Sequence, residues 1–314
     1  MAVLPSPAVK VSAICERMSI KVVGLIRVQR YDFFLIPQYN NYRAGRVNNK
    51  KEKIMIREET VFGPIFSRRL GSSLGINLLP ERGKICNFDC IYCECGWNRD
   101  GRDDTVLPTA EKVRSDLERM LKRLSVEGTP VDSITFSGDG EPTLNPEFVQ
   151  IIDDTLRLRD EYYPKAKVSV LSNATRVHLP EVFAALRKVD NPIMKIDAPT
   201  NELVEKINMP APGYDVNRVV EALKQFGGNF VLQTCMLRVV DLAPHGRRPQ
   251  FDSSKPEVIN GLLNIVRLLK PREWMVYTID RPTPMQGLQK FTPDEMRALV
   301  QPLIDEGFCI QIKG

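Results

Sequence analysis

The sequence predicts an α/β fold in which a parallel sheet curls into a complete or partial barrel. Two observations carry this. From position 74 onward short apolar runs alternate with amphipathic helical patterns, as in repeated βαβ units, which wind with one hand and so curl. The chain is also long and apolar enough to bury a full core, with 314 residues, 43% hydrophobic and 26% charged.

The expected strands are Leu74–Leu79, Ser133–Ser137, Val168–Ser172, Ile193–Asp197, Phe230–Met236, Trp274–Ile279 and Phe308–Ile312. Thr109 is placed to cap a helix whose Val113, Leu117, Met120, Leu121 and Leu124 form one stripe. Asn145-Pro146 reads as an N-cap followed by proline in the first turn, opening a helix through Arg159. Pro180–Val189, Glu202–Ile207, Val216–Phe226, Pro256–Leu269 and Pro293–Glu306 supply the others. In such a fold chemistry gathers at the C-terminal ends of the strands.

Residues 1–54 lack this pattern. They hold a net charge of +7, whereas 55–314 carry −2, so the overall +5 belongs to the N-terminal segment and gives the rest no global footprint for a polyanion. The segment reads either as a poorly ordered basic extension, with a hairpin of Lys21–Val28 and Phe33–Ile36 as an alternative, or as a start-site artefact with translation beginning at Met55. Residues 55–314 form the core domain. The apolar stretch Met18–Pro37 is broken by Lys21, Arg27, Arg30 and Asp32, which argues against a membrane span, and no secretory signal pattern is present, so a cytoplasmic location is the default expectation.

Three of the seven cysteines lie within Cys86-Asn87-Phe88-Asp89-Cys90-Ile91-Tyr92-Cys93, directly after the first expected strand. Three soft thiolates on one short loop suit an iron–sulfur centre or zinc. A closed zinc site lacks an obvious fourth ligand: Cys95 is cramped beside Cys93, and His178 and His245 are distant in sequence. A cubane held by three cysteines leaves one iron open to a small molecule. At the next strand end stands Phe136-Ser137-Gly138-Asp139-Gly140-Glu141-Pro142-Thr143-Leu144. Glycines there permit close backbone approach to a ligand, and Glu141 can accept from an ammonium; taken by themselves, these residues read first as a tight strand-to-helix turn. Later strand ends add Ser172-Asn173, Lys195 to Asp197, Gln233 and Thr278 to Asp280, each also explicable as capping or turn chemistry. Strand alternation does not tell whether Lys195 points into the barrel or outward.

The C-x3-C-x2-C run with Tyr92 before its last cysteine resembles the radical SAM superfamily, and the Gly-Asp-Gly-Glu segment resembles that superfamily's Gly-Gly-Glu motif. The resemblance implies a partial (β/α)6-type radical SAM barrel. It implies a 4Fe-4S cluster on Cys86, Cys90 and Cys93 whose open iron chelates S-adenosylmethionine (SAM), and reductive cleavage of SAM to a 5'-deoxyadenosyl radical. It places Gly138, Gly140 and Glu141 at the methionine moiety, Tyr92 along the adenine, and Ser172, Asn173 and Asp197 at the carboxylate and ribose. It also implies a low-potential electron donor such as flavodoxin or ferredoxin.

Phe62-Gly63-Pro64-Ile65-Phe66-Ser67-Arg68-Arg69-Leu70-Gly71, running on to Gly75-Ile76-Asn77, is similar to the branch containing the wyosine-forming tRNA enzymes and uncharacterised Fe-S oxidoreductases. A tRNA base is the substrate class this implies, with neither DNA nor a membrane expected; Arg68 and Arg69 are then candidates to grip a phosphate or carboxylate, or simply a solvated turn. The chain departs from the wyosine pattern in having only Cys15 upstream of Cys86, which counts against that activity. Cys235 and Cys309, single on apolar strands, are expected to be buried and inert, while Cys95 stands near enough to the cluster loop to face a substrate. Two other readings keep the cysteine loop: a nucleic-acid-binding or scaffold protein with a structural cluster, and a glycyl-radical-type activase.

Overall fold

A computed structural model of the chain describes residues 59–67, 70–101, 104–240 and 250–314. The expectations for residues 1–54, for Met55 and for Arg68, Arg69 and His245 lie outside the described residues. All described residues fall in the unit Lys51–Gly314.

Seven parallel strands follow one another across a single sheet: β2 (Gly71–Ile76), β3 (Ser133–Phe136), β4 (Lys167–Ser172), β5 (Asn191–Lys195), β6 (Val231–Cys235), β8 (Glu273–Tyr277) and β10 (Ile310–Lys313). Each overlaps one of the seven expected strands, and their near-sequential order gives the curled, open barrel that βαβ repetition demands. The first runs three residues earlier than expected. It is held along its whole length by a strand the sequence pattern does not announce, β1 (Val61–Ser67), which pairs antiparallel with it along Val61↔Ile76 to Ser67↔Gly71. A second addition is the short antiparallel pair β7 (Leu237–Val239) and β9 (Leu288–Lys290). Three-residue strands are too short for a period-2 pattern to show.

The helices are α1 (Ala110–Val126), α2 (Phe148–Tyr162), α3 (Pro180–Lys188), α4 (Asn201–Asn208), α5 (Val216–Lys224), α6 (Pro256–Leu269) and α7 (Pro293–Asp305). Thr109 Oγ1 accepts from Lys112 N at 3.2 Å, and Val113, Leu117, Leu121 and Leu124 are buried as one stripe. The opening of α2 differs from expectation. Asn145 does accept from Glu147 N at 2.8 Å, but Pro146 and Glu147 form a turn and the helix begins at Phe148, because Asn145 is engaged elsewhere, its amide donating to Leu78 O and Pro108 O.

Strand alternation sorts the barrel into two faces. Met194, Leu232, Trp274 and Val276 join the main core shared with the helices. Ile193, Val231 and Met275 form a separate small cluster with Leu70 and Leu171, and this is the floor of the concave lumen. Lys195, Gln233 and Tyr277 follow two residues after Ile193, Val231 and Met275, so they share that face one step nearer the C-terminal mouth. Cys235 is fully buried as expected; Cys309 is exposed, because β10 begins only at Ile310 and leaves it in the connection from α7.

Candidate functional site

The cysteine loop lies over the C-terminal end of the sheet because backbone hydrogen bonds clamp it on several sides. Toward α4, Asp89 N donates to Asn208 O at 2.9 Å and Ile91 N to Ile207 O at 3.0 Å; farther along the chain, Met285 N donates to Ile91 O at 3.2 Å. On the β3 side Ile85 N donates to Asp139 O at 3.2 Å, and Ile85 O accepts from Glu141 N at 3.1 Å. Asn98 closes the loop on itself, its amide donating to Cys86 O at 3.0 Å and Phe88 O at 2.9 Å. Sequence reasoning missed Asn98, Asn208 and Lys84; only their proximity in space gives them meaning.

Each of the three thiols meets an N–H group. Cys86 Sγ accepts from Phe88 N at 3.4 Å and Asn173 Nδ2 at 3.7 Å, Cys90 Sγ accepts from Asn208 Nδ2 at 3.3 Å, and the backbone of Cys95 donates to Cys93. The Cys95 side chain, with a backbone hydrogen bond and the Lys84 charge assisting, holds Cys93 down to about 5 against the opposing effect of burial. Burial raises Cys90 to about 11 and lifts Cys86 as well, with Lys195 and Lys84 respectively pulling the other way. Lys84 is 3% exposed, and its ammonium donates to Gly96 O at 2.6 Å and lies 3.4 Å from Asp89. Burial alone would lower it, but Cys93, Cys86, Asp89 and Cys90 together hold it above its usual range. N–H donors at each sulfur and a buried cation beside them are the surroundings three thiolates on one centre require. Among the described residues no three Cys, His, Asp or Glu side chains gather as a site for a single ion would.

Both glycines and the glutamate of the Gly-Asp-Gly-Glu segment have an intramolecular explanation. A Cβ on Gly138 would meet Asn77 Oδ1 at 2.0 Å, and one on Gly140, at φ +138°, would meet Ile85 O at 1.8 Å. The close approach these glycines permit is therefore to the loop that carries Cys86. Glu141 is 2% exposed; Oε1 accepts from Thr143 N, Thr143 Oγ1 and Ser172 Oγ, and Oε2 accepts from Asn173 N at 2.7 Å. Burial raises its pKa against these four bonds. Glu141 thus ties the end of β3 to the end of β4 and orients Asn173, whose amide also donates to Asn87 at 2.7 Å.

Across the lumen, Asp197 Oδ1 accepts from Cys235 N at 2.8 Å, and Oδ2 accepts from Asn208 Nδ2 at 2.7 Å and from the Tyr92 hydroxyl. Tyr92 is buried, and burial followed by the Asp197 charge pushes its phenol up. Lys195 resolves into the lumen, Nζ donating to Tyr92 Oη at 3.1 Å and lying 5.0 and 5.9 Å from the Tyr92 and Tyr277 ring centres. The structure thus gathers Cys86, Cys90, Cys93, Tyr92, Gly138, Gly140, Glu141, Ser172, Asn173 and Asp197 at one end of the sheet. Thr278 turns instead to structural work, donating to Met236 O and accepting from Phe291 N, and Asp280 is exposed. Cys95 Sγ lies 3.4 Å from Asp139 Oδ1.

The chain is similar in sequence to a UPF0026 protein of Helicobacter pylori strain J99, 29% identical over 80% of this chain and 75% of its own, and to a UPF0026 protein of Synechocystis, 29% identical over 72% and 77%. The fold is also that of a radical SAM methyltransferase from Sphaerobacter thermophilus, with a TM-score of 0.56 at 15% identity over 76% of this chain and 66% of that one. TYW1 with a lysine-pyruvate adduct bound gives 0.52 at 15%, over 75% and 74%. Residues 81–242, which run from the cysteine loop through the β5, β6 and β7 strands, match the sequence profile of the radical SAM superfamily, and the chain belongs to that superfamily of enzymes.

Proposed function

We propose that this enzyme binds one 4Fe-4S cluster through Cys86, Cys90 and Cys93, holds SAM at the iron those three leave open, and starts radical chemistry on a further substrate. The observation that carries the reading is the built surroundings of the three thiols: a donor at every sulfur, a buried ammonium at Lys84, and placement at the C-terminal mouth of the barrel. When bound and reduced, such a cluster supplies one electron to the sulfonium of SAM, releasing methionine and a 5'-deoxyadenosyl radical.

The chain's own residues supply position and charge. Lys84 offsets negative charge on the loop, and Asn173 and Asn208 tie two of the sulfurs to the ends of β4 and α4. Asp197, fixed by three donors, orients Tyr92 beneath the loop. Ser172, Asn173 and Asp197, with Gly138, Gly140 and Glu141 behind them, form the wall along which SAM lies in this reading. The electron comes from a donor such as flavodoxin or ferredoxin.

The test is anaerobic. The full chain is reconstituted with iron and sulfide, reduced with dithionite, given SAM, and assayed for 5'-deoxyadenosine beside Cys90→Ala. The expected result is close to four irons per chain and product that the variant does not form. An intact cluster that forms no product from SAM, with or without added tRNA, supports the structural-cluster reading instead. Stimulation by unmodified tRNA would support a tRNA base as substrate.

A further inference from the structure

In the lumen, Lys195 and Gln233 face each other from directly paired positions on β5 and β6. Neither has the partner its chemistry calls for. Among the described residues Lys195 forms no ion pair with a carboxylate within 4.0 Å; its one hydrogen bond is to the oxygen of Tyr92, whose own proton is directed at Asp197. The nearest lumenal carboxylate, Asp197, is already taken up by Cys235 N, Asn208 and Tyr92. Gln233 is only 3% exposed, yet its Nε2 donates to nothing. A buried amide N–H₂ left unbonded costs on the order of 1–3 kcal/mol, and native proteins keep few such groups. An ammonium with no carboxylate within 4.0 Å among the described residues and, beside it on the concave face beneath Tyr92, a buried amide N–H₂ with no acceptor describe a receptor for an acceptor.

From this juxtaposition we infer that Lys195 and Gln233 anchor the substrate of the radical reaction, and that the substrate class is one bearing a carboxylate. The inference rests on the proposed function for the identity of the reaction, and adds what the reaction acts on. A carboxylate fits better than a phosphate monoester. Lys195 brings one positive charge beside the Asp197 carboxylate, enough for a single negative charge, whereas a phosphate monoester brings nearly two. A planar carboxylate also presents two oxygens to the two donors at once. Below the pair, Ile193, Val231, Met275, Leu70 and Leu171 close the floor with apolar groups, so the anchored group enters from the mouth and the remainder of the substrate extends toward Tyr92 and the cysteine loop. That places carbon atoms of the substrate, not the carboxylate, on the side where hydrogen abstraction would occur.

The test uses the full, cluster-loaded chain and ¹³C-formate, the smallest carboxylate, whose NMR line broadens on exchange with a protein site. Wild type is expected to broaden it saturably, with and without saturating SAM. Lys195→Met is expected to weaken formate binding about tenfold or more and Gln233→Leu about threefold to tenfold, each compared with wild type at matched iron and sulfide content. Wild type that shows no saturable broadening, or variants that broaden the line equally, would overturn the assignment. So would competition between formate and SAM together with a matching loss of SAM affinity in Lys195→Met, since the pair would then belong to the carboxylate of SAM. Failure of the parent reading shows separately, as wild type that takes up no cluster or forms no 5'-deoxyadenosine; formate binding is then read on the chain as purified.

Discussion

Replacing Gly140 with alanine tests the claim that this glycine exists for the cysteine loop. Two costs add at this position. The backbone stands at φ +138°, where an L side chain is strained by about 1–3 kcal/mol. The new methyl would also lie 1.8 Å from Ile85 O and 2.3 Å from Leu79 Cδ1, and since Ile85 O is backbone the loop must move. Moving it breaks the pair of hydrogen bonds that join Ile85 to Asp139 and Glu141, each worth about 1 kcal/mol. The sum is roughly 3–5 kcal/mol, or a fall in Tm of roughly 5–10 °C for a domain of this size. Gly213→Ala is the control: its φ is +87° but nothing lies within 4 Å of the added carbon, so it is expected to cost about 1–2 kcal/mol. Anaerobic thermal and urea unfolding of the two proteins without cluster gives the comparison. A Gly140→Ala protein as stable as Gly213→Ala would refute the argument. Because Ile85 immediately precedes Cys86, the same variant is expected to take up less iron and sulfide than wild type.

Three further substitutions probe the surroundings. Asp190 accepts from Val168 N at 2.9 Å, Arg159 at 2.8 Å and Lys167 at 3.3 Å, and although burial opposes it these partners hold its carboxyl below the usual range. The stability it contributes is therefore present above about pH 4 and lost as pH falls through the lowered native value; Asp190→Asn is expected to cost about 1–2 kcal/mol at neutral pH, with the gap to wild type closing in acid, and a gap constant with pH would contradict this. Thr109→Ala removes the cap of α1 and is expected to cost about 1 kcal/mol with an unchanged urea m-value. Lys84→Met removes the buried cation beside the thiols, and reconstituted iron and sulfide are expected to fall severalfold; full occupancy at an unshifted reduction potential would show that the charge is dispensable.

The seven parallel strands were legible because strands buried on a helix-covered face are written as short apolar runs, and the helices because their proline, threonine and aspartate starts are local signals. β1 was not, since Phe62-Gly63-Pro64 interrupts any alternation and its pairing with β2 is tertiary. Cys309 failed for a related reason: it sits one residue before β10, and boundaries are where pattern reading is weakest.

The site divides along the same line. The cysteine triad declares itself by spacing, but the groups that make three thiols a plausible centre come from elsewhere: Lys84 and Asn98 from flanking loop positions with no motif, Asn208 from the end of α4, 118 residues beyond Cys90. Gly138, Gly140 and Glu141 show the converse. Their letters are equally compatible with contacting a ligand and with fastening one loop to the next, and sequence leaves both readings open. The structure shows the fastening: the glycine faces are filled by Asn77 and Ile85, and Glu141 holds Ser172 and Asn173 in place. Whatever these residues do for SAM, they do it while joining the Cys86 loop to β3 and β3 to β4. Loss of any of them should therefore lower the stability of the cluster loop before SAM is added.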